Sequence, residues 1–484
     1  MDRGLLVAYS LQKERSFSGF WNVMIARKID SVKGEGRSIA GHPFDYRKEE
    51  KMRRFTGTRN VFGLVGVVVF SCLLGLSGHA QAQELKIAVI TGLTGANAPW
   101  GKEVQTTAKL VEEEITAAGG FNVAGNKVKV TFKYYDSESS PEVAGAVTER
   151  AISDGCKFVL TGPQSAAAFT SSEVGERAKV LSVDPYNTTV KLTDRGLKYY
   201  FRLCTHDAMV IPRSLEYIAY QEKRTGIKIK NVVVFTIDNI LGRSKGDVYS
   251  DLAPKMFPHW NVTEYIKYST KTQDFTIFLN KFKANKIDLI LGTQPPMDAI
   301  LITRQARQID WNPIALHSAH GGWYDPDYGK TLQWQAIGVT DTCYFSPFTK
   351  IPGLNAFNEK YKKRYGYDIP QGGANFACAI TLIKDCVQRA GSIEVEEMRK
   401  AMVSADLRRL EYKEGEWWWI EHYGVKFDDK GQNIKADALT NLWTTPTRFE
   451  PVFPAEFATT VAPWPKLAWK ELEKQYASKY PVGK

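Results

Sequence analysis

Between residues 85 and 330 short apolar runs alternate with longer stretches of helical spacing, and this alternation restricts the fold more than any other feature of the chain. LKIAVIT (85–91) reads as a strand. Val104, Ala108, Val111 and Ile115 follow at spacings of 4, 3 and 4, one face of a helix that Gly119-Gly120 ends. KVKVTFKYY (127–135) alternates as a strand, and Pro141 opens a second helix that carries Val143, Val147 and Ala151 and stops at Gly155. KFVLTG (157–162) and VLSVDP (180–185) read as the third and fourth strands. The cycle restarts at NVVVFTID (231–238) and IDLILG (287–292), and two more helices are expected over 352–366 and 372–391. Strands separated by helices of 10–18 residues require parallel sheets with helices on both faces. The fold class expected is α/β, with two doubly wound parallel-sheet lobes. Ligands of such folds bind at the carboxyl ends of strands, beside helix N-termini.

Three loops fall at such ends. In LTGPQSAAAFTSS (160–172) a helix starting near Ser165 offers free backbone N–H groups and the positive end of its dipole. The stretch holds no Lys or Arg, which favours a singly charged carboxylate over a phosphate. In DPYNTTVKLTD (184–194), Asn187, Thr188 and Thr189 can supply amide or hydroxyl partners, or cap the next helix. In TQPPMDAILITRQAR (293–307), Asp298 lies early on a helix, where the dipole favours a carboxylate in any case.

Residues 52–82 read as an export signal: Arg53, Arg54 and Arg59, an apolar core over Val61–Leu76, and Ala80-Gln81-Ala82 as a cleavage site. A 16-residue core is short for a membrane span of about 20 residues, so a retained anchor is the lesser reading. Residues 1–51 have no sustained period and are expected to be a non-native extension, with Met52 as the start. The formal charge of +11 is uneven: residues 1–82 hold 13 Lys and Arg against 7 Asp and Glu, leaving 51 against 46 in the rest. Interspersed charges of that kind give no footprint for nucleic acid. An exported chain can form disulfides, but Cys156, Cys204, Cys343, Cys378 and Cys386 are odd in number. Cys378 and Cys386, on one helix, would stand about 12 Å apart, too far to bridge. Burial as small hydrophobes is expected for the five.

LKIAVITGLTGANAPWG, DGCKFVLTGPQSAAA, LSVDPYNTTVKLTDRG, YYFRLCTHD, NVVVFTIDNILG and GTQPPMDAILITRQAR together resemble the periplasmic leucine/isoleucine/valine-type substrate-binding proteins of ABC importers. The blocks stand in the same order, and the resemblance spans about residues 84–445. It implies a type I binding-protein fold in which three crossovers join two lobes that close on a ligand. The lobes would be 83–205 with about 340–440, and 206–339 with about 441–484. It implies that Ser165, Thr188 and the amides near Ala166 hold a ligand carboxylate, that Asp298 holds its ammonium, and that Trp100 flanks the ligand. The chain departs from the family where Ala166 replaces a serine, Leu241 an aromatic residue, and Tyr186 and Asn187 smaller residues. The branched aliphatic pocket is therefore in doubt, and Trp100, Tyr186, Trp323 and His320 are candidates to line a different one. The resemblance implies a monomer, an ABC permease as partner, a periplasmic location and no cofactor.

Other readings compete. An importer protein for aromatic acids or amides suits the aromatic candidates. GRSKG (242–246) matches G-x-S-x-G, so a hydrolase using Ser244 is the alternative of another class, although Ser244 follows the strand by seven residues. His317 and His320 are three apart and could ligate a metal, or sit satisfied in a loop. A sensor built on the same module would also need a separate membrane partner. Alternating Trp417, Trp418 and Trp419 would face opposite ways in a strand, so at least one is expected to be covered near the hinge.

Overall fold

The computed structural model describes residues 83–349, 351–408, 418–419 and 423–482. The signal segment, the extension before it, Trp417 and His422 lie outside the described residues.

The first series runs β1 (Glu84–Thr91), α1 (Ala98–Ala117), β2 (Phe121–Val123), β3 (Asn126–Asp136), α2 (Pro141–Ser153), β4 (Phe158–Thr161), α3 (Ser165–Ala178), β5 (Leu181–Asp184) and β6 (Tyr200–Arg202). Its six strands lie in the order β2-β3-β1-β4-β5-β6, all parallel except the β2–β3 hairpin. β1 is apolar almost throughout because helices cover both faces of the sheet, the usual reason for a continuous rather than alternating strand. The strand order reverses between β1 and β4, where this fold class opens its binding crevice.

The chain then crosses to a second series: α4 (Asp207–Thr225), β7 (Asn231–Ile237), α5 (Ile240–Met256), β8 (Asn261–Tyr268), α6 (Thr276–Ala284), β9 (Leu289–Leu291), α7 (Pro296–Gln308), β10 (Ala315–Ala319), α8 (Pro326–Leu332) and β11 (Thr340–Cys343). After β11 the chain returns to the first lobe as α9 (Pro352–Tyr365), α10 (Gln371–Ala390) and α11 (Val395–Val403), followed by the two-stranded β12 (Asp406–Leu407) and β13 (Val425–Lys426). A third crossing leads to β14 (Leu439–Thr445), β15 (Arg448–Phe453) and α12 (Trp469–Tyr476). The second sheet has the order β15-β14-β11-β10-β9-β7-β8, with its switch point between β7 and β9. Because β11 belongs to this sheet, the second crossover comes after Cys343, slightly past the boundary expected at about 340.

Each lobe has its own core. Phe158, Leu181 and Phe376 lie in the first, which includes most of α10, and Phe235, Leu316 and Trp469 in the second. Trp419 is buried in the first core beside Phe357, and Trp418 packs edge-on against Phe121 with Lys384 over its ring, so both cover that lobe. Cys156, Cys204, Cys343, Cys378 and Cys386 are all buried, as expected of small hydrophobes. Among the described residues no helix is long and apolar enough to cross a membrane.

Candidate functional site

On the first lobe, a shallow depression marks the switch point, lined by Thr91, Gly92, Asn97, Ser137, Pro163 and Gln164. Gln164 is the N-cap of α3 and makes no side-chain cap; its amide nitrogen donates to the Ser139 carbonyl at 2.7 Å. The first amide committed to an i→i−4 bond here is that of Ala168, to Gln164 O at 3.0 Å, so those of Ser165, Ala166 and Ala167 precede the helix ladder. Ser165 itself is buried.

The next loop is held from beneath. The buried Asp184 carboxylate accepts the backbone N–H groups of Tyr186 and Asn187 at 2.9 and 3.0 Å and the Tyr200 hydroxyl at 2.6 Å. The Asn187 amide nitrogen donates to Asp184 and to Gly162 O at 3.2 Å, which ties the two loops together and commits both its hydrogens. Asn187 thereby positions its neighbours. Thr188 follows; its carbonyl accepts the Asp207 amide at 2.7 Å, and its hydroxyl lies beside the Asp207 carboxylate without closing a hydrogen bond.

On the second lobe the site is built around His320, which follows β10 at φ 57°, a left-handed conformation uncommon for a non-glycine residue. Its amide donates to Asp341 Oδ1 at 2.9 Å, and the Gly321 amide to Asp341 Oδ2 at 3.1 Å. Its carbonyl accepts Lys245 Nζ at 3.0 Å and the Thr293 hydroxyl at 3.1 Å. Its ring lies 4.1 Å from that of Tyr344 and 5.5 Å from that of Tyr324, and burial holds its pKa well below the usual histidine range.

The lobes meet here. His320 Nε2 stands 3.2 Å from the Gln371 amide nitrogen at the start of α10. The Tyr344 hydroxyl donates to the Tyr186 carbonyl at 3.0 Å. The Trp100 indole N–H lies beside the Asp325 carboxylate, whose pKa burial raises to about 7 against that neighbour's smaller opposing pull; neither that N–H nor Asp325 Oδ2 closes a hydrogen bond among the described residues.

Of the residues expected in a site, Trp100, Tyr186 and His320 meet groups of the opposite lobe or its crossover, while Ser165, Ala166 and Thr188 sit at the strand ends of the first. Leu241 is half-buried in the first turn of α5. Asp298 is in the first turn of α7 and accepts the Tyr268 hydroxyl at 2.8 Å, so its partner comes from the edge strand of its own lobe. Trp323 is fully buried in the core of the second lobe, where its carbonyl accepts the Trp443 indole N–H at 2.6 Å; the ring that reaches the cleft beside it is Tyr324. Gln371, Glu103, Tyr324 and Asp325 were missed. Glu103 carried a readable signal: it lies one position before Val104, on the buried stripe of an amphipathic helix.

Two alternatives fall on geometry. Ser244 is in the second turn of α5 rather than on a strand-end elbow, and its hydroxyl donates to the buried Asp207 that faces Lys245, not to a histidine. His317 is bonded on both ring nitrogens, to Ser214 Oγ at 2.7 Å and Thr340 Oγ1 at 2.9 Å, so it is a satisfied core histidine.

Asp341 gives a pH prediction. Burial pushes its carboxyl up to about 7, against the Ser318, Gly321 and His320 donors and Lys245. With an unfolded value near about 4, its contribution is fully present below that value and is lost as pH rises toward 7. Urea unfolding of wild type and Asp341→Asn at pH 4.5, 6 and 7.5 is expected to show the variant gaining on wild type as pH rises. The opposite slope would mean that the carboxylate is already charged at pH 4.5.

Two doubly wound lobes, three crossovers and polar groups of both lobes meeting between them define a type I solute-binding fold. The chain belongs to the periplasmic binding protein family, whose model matches residues 84–415. A Leu/Ile/Val-binding protein homolog from Brucella melitensis is 27% identical over 341 residues, 68% of this chain and 86% of its own length. A leucine-binding protein from Thermotoga maritima superimposes with a TM-score of 0.63 at 23% identity, over 76% of this chain and 97% of that one. A solute-binding protein from R. palustris, solved in complex with benzoate, gives a TM-score of 0.61 at 14% identity, over 76% and 95%. The relatives bind solutes, and this chain is a binding protein, not an enzyme.

Proposed function

We propose that the protein is an extracytoplasmic solute-binding protein that delivers an amino acid or related small carboxylate to an ABC permease, by closure of its lobes on the ligand. It acts as a monomer, exported by a signal cleaved near Ala82. The observation that carries this reading is the meeting of His320 and Gln371 across the lobes, with Tyr344 linking the His320 ring to the Tyr186 carbonyl of the second loop. Ser165, Thr188 and the amides near Ala166 hold that carboxylate. A zwitterion in a closed cleft needs both charges met, since a buried unpaired charge costs several kcal/mol. Partners divided between two lobes make closure depend on the ligand.

A second reading, a binding protein for aromatic acids or amides, draws support from the rings of Trp100, Tyr186, Tyr324 and Tyr344. A thermal-shift screen of the mature protein separates the two. A solute at about 100 times its Kd is expected to stabilise the fold by about 2.7 kcal/mol. A shift with amino acids supports the first reading, and a shift with aromatic acids alone replaces it by the second. Failure of every small solute would overturn solute binding itself.

A further inference from the structure

The proposed function leaves the ligand's nitrogen to be placed, and the structure offers a better partner than Asp298. Glu103 follows Trp100 by one helical turn on α1, and Trp100 is the residue that reaches Asp325 of the second lobe. The two carboxylates therefore approach the same point from opposite lobes. Both are buried, Glu103 at 8% exposure and Asp325 at 2%. Glu103 Oε2 accepts the Gly372 amide at 3.2 Å, and Asp325 Oδ1 caps α8 through the Asp327 amide at 2.8 Å. Asp325 Oδ2 has no hydrogen-bond partner among the described residues.

Two further acceptors surround the pair with the same property. Gln371 precedes the glycine that binds Glu103; its Oε1, in a side chain 6% exposed, has no partner among the described residues. The Tyr186 hydroxyl, close enough to Glu103 to feel its charge, is likewise buried without a partner. Buried acceptors are almost always matched by donors. With Asp325 Oδ2 these make three buried oxygens without a partner among the described residues, beside the Glu103 carboxylate, and they call for a group rich in N–H.

The charges agree. Burial raises Asp325 to about 7, and burial, followed by the charge of Asp325, pushes Glu103 well above the usual carboxylate range. The cation facing the pair, Lys330 on α8, is half-exposed and lies 3.4 Å from Asp327, so these two largely offset each other. Tyr324 and Tyr361, the other titratable groups turned toward the pair, are held neutral by burial. His320, behind Gln371, is neutral too.

We propose that Glu103 and Asp325, one from each lobe, form the subsite for a protonated nitrogen group of the transported solute, an ammonium, amidinium or guanidinium. The inference rests on the solute-binding reading. Closure then brings two carboxylates together only when a cation stands between them, which couples the conformational change to ligand charge. The remainder of such a ligand would face an adjoining cleft, about 70 Å³ in volume, that shares Tyr324 and Gln371 and is walled by Phe345, Tyr367 and Trp443.

The test is calorimetric binding of L-leucine, L-arginine, agmatine and benzoate to the mature protein and to the isosteric variants Glu103→Gln and Asp325→Asn, at pH 5.5 and 8. At least one nitrogen-bearing probe is expected to bind, tighter at pH 8 because the pair must be deprotonated to receive it. Each variant is expected to weaken that probe at least tenfold, and the double variant to lose the pH dependence. Binding that is unchanged in both variants, binding of benzoate alone, or affinity that falls as pH rises would overturn the subsite while leaving solute binding intact; the last would mean that the pair shares a proton on closure. If a variant does not fold, the pH dependence of the wild type decides. Binding of none of the probes would count against the subsite, and only the failure of the wider solute screen would remove the transport reading with it.

Discussion

Replacing Lys245 by methionine is expected to destabilise the protein by about 3–5 kcal/mol, the usual cost of breaking a buried ion pair by removing one partner. Lys245 has no exposed surface, and its Nζ lies 3.9 Å from Asp207 Oδ1, which is also fully buried. Burial lowers the pKa of the lysine and raises that of the aspartate, and the charge of each opposes that shift in the other. The second contact of Nζ is the His320 carbonyl at 3.0 Å. That carbonyl belongs to a residue at φ 57°, a conformation that persists only where its surroundings over-determine it. Methionine fills the space but leaves Asp207 without its counter-charge and the His320 turn with one support fewer. The double variant Lys245→Met, Asp207→Asn removes both charges and is expected to recover part of the loss. Urea unfolding at pH 7 measures both. A single-variant loss below about 1 kcal/mol, as for an exposed pair, would show that the two groups are not paired in solution.

Most of the architecture was legible because it depends on local periodicity. The start of α3 at Ser165, the stop of α1 before Gly119-Gly120 and the start of α2 at Pro141 lie where small residues, glycine and proline put them. The first-lobe half of the site was legible for the same reason, since strand ends and helix starts can be read from short windows. The second-lobe half was not. The family resemblance implied that Asp298 meets the ammonium, whereas the helix dipole favours a first-turn carboxylate in any case, and its side chain accepts the Tyr268 hydroxyl of its own lobe. The groups that do face the first lobe, His320 and Asp325, are placed by a left-handed turn and by a cap on α8, and their partners lie 51 residues away at Gln371 and more than 200 away at Trp100 and Glu103. No window of sequence contains such a meeting. Glu103 was the exception, a charge beside the apolar stripe of α1 that burial of the whole face makes costly unless it is used.

Arg202 ties the hinge together, and Arg202→Met is expected to cost about 4 kcal/mol or more. The side chain is fully buried at the end of β6. Nη1 donates to Thr189 O at 2.6 Å and Asn187 O at 3.2 Å, Nη2 to the Thr193 hydroxyl at 2.8 Å, and Nε to Gln432 Oε1 at 2.5 Å. Gln432 and Asn433, on the third crossover, in turn donate to Cys204 O at 3.0 Å and Leu203 O at 2.9 Å on the first. One guanidinium thus fixes the loop that carries Thr188 and registers two of the three chain segments that link the lobes. Methionine matches the stem but strands two carbonyls and the Gln432 oxygen in the interior, each costing about 1–3 kcal/mol. Arg202→Lys is expected to fall between, because an ammonium keeps the charge but cannot present the planar fork that reaches four acceptors at once. Denaturant unfolding gives the order wild type, lysine, methionine. Because Asn187 and Thr189 bracket Thr188, the lysine variant is also expected to weaken binding of any carboxylate probe that the wild type retains. A methionine variant as stable as wild type would mean that water replaces the guanidinium contacts and that the crossovers are registered by Gln432 and Asn433 without it.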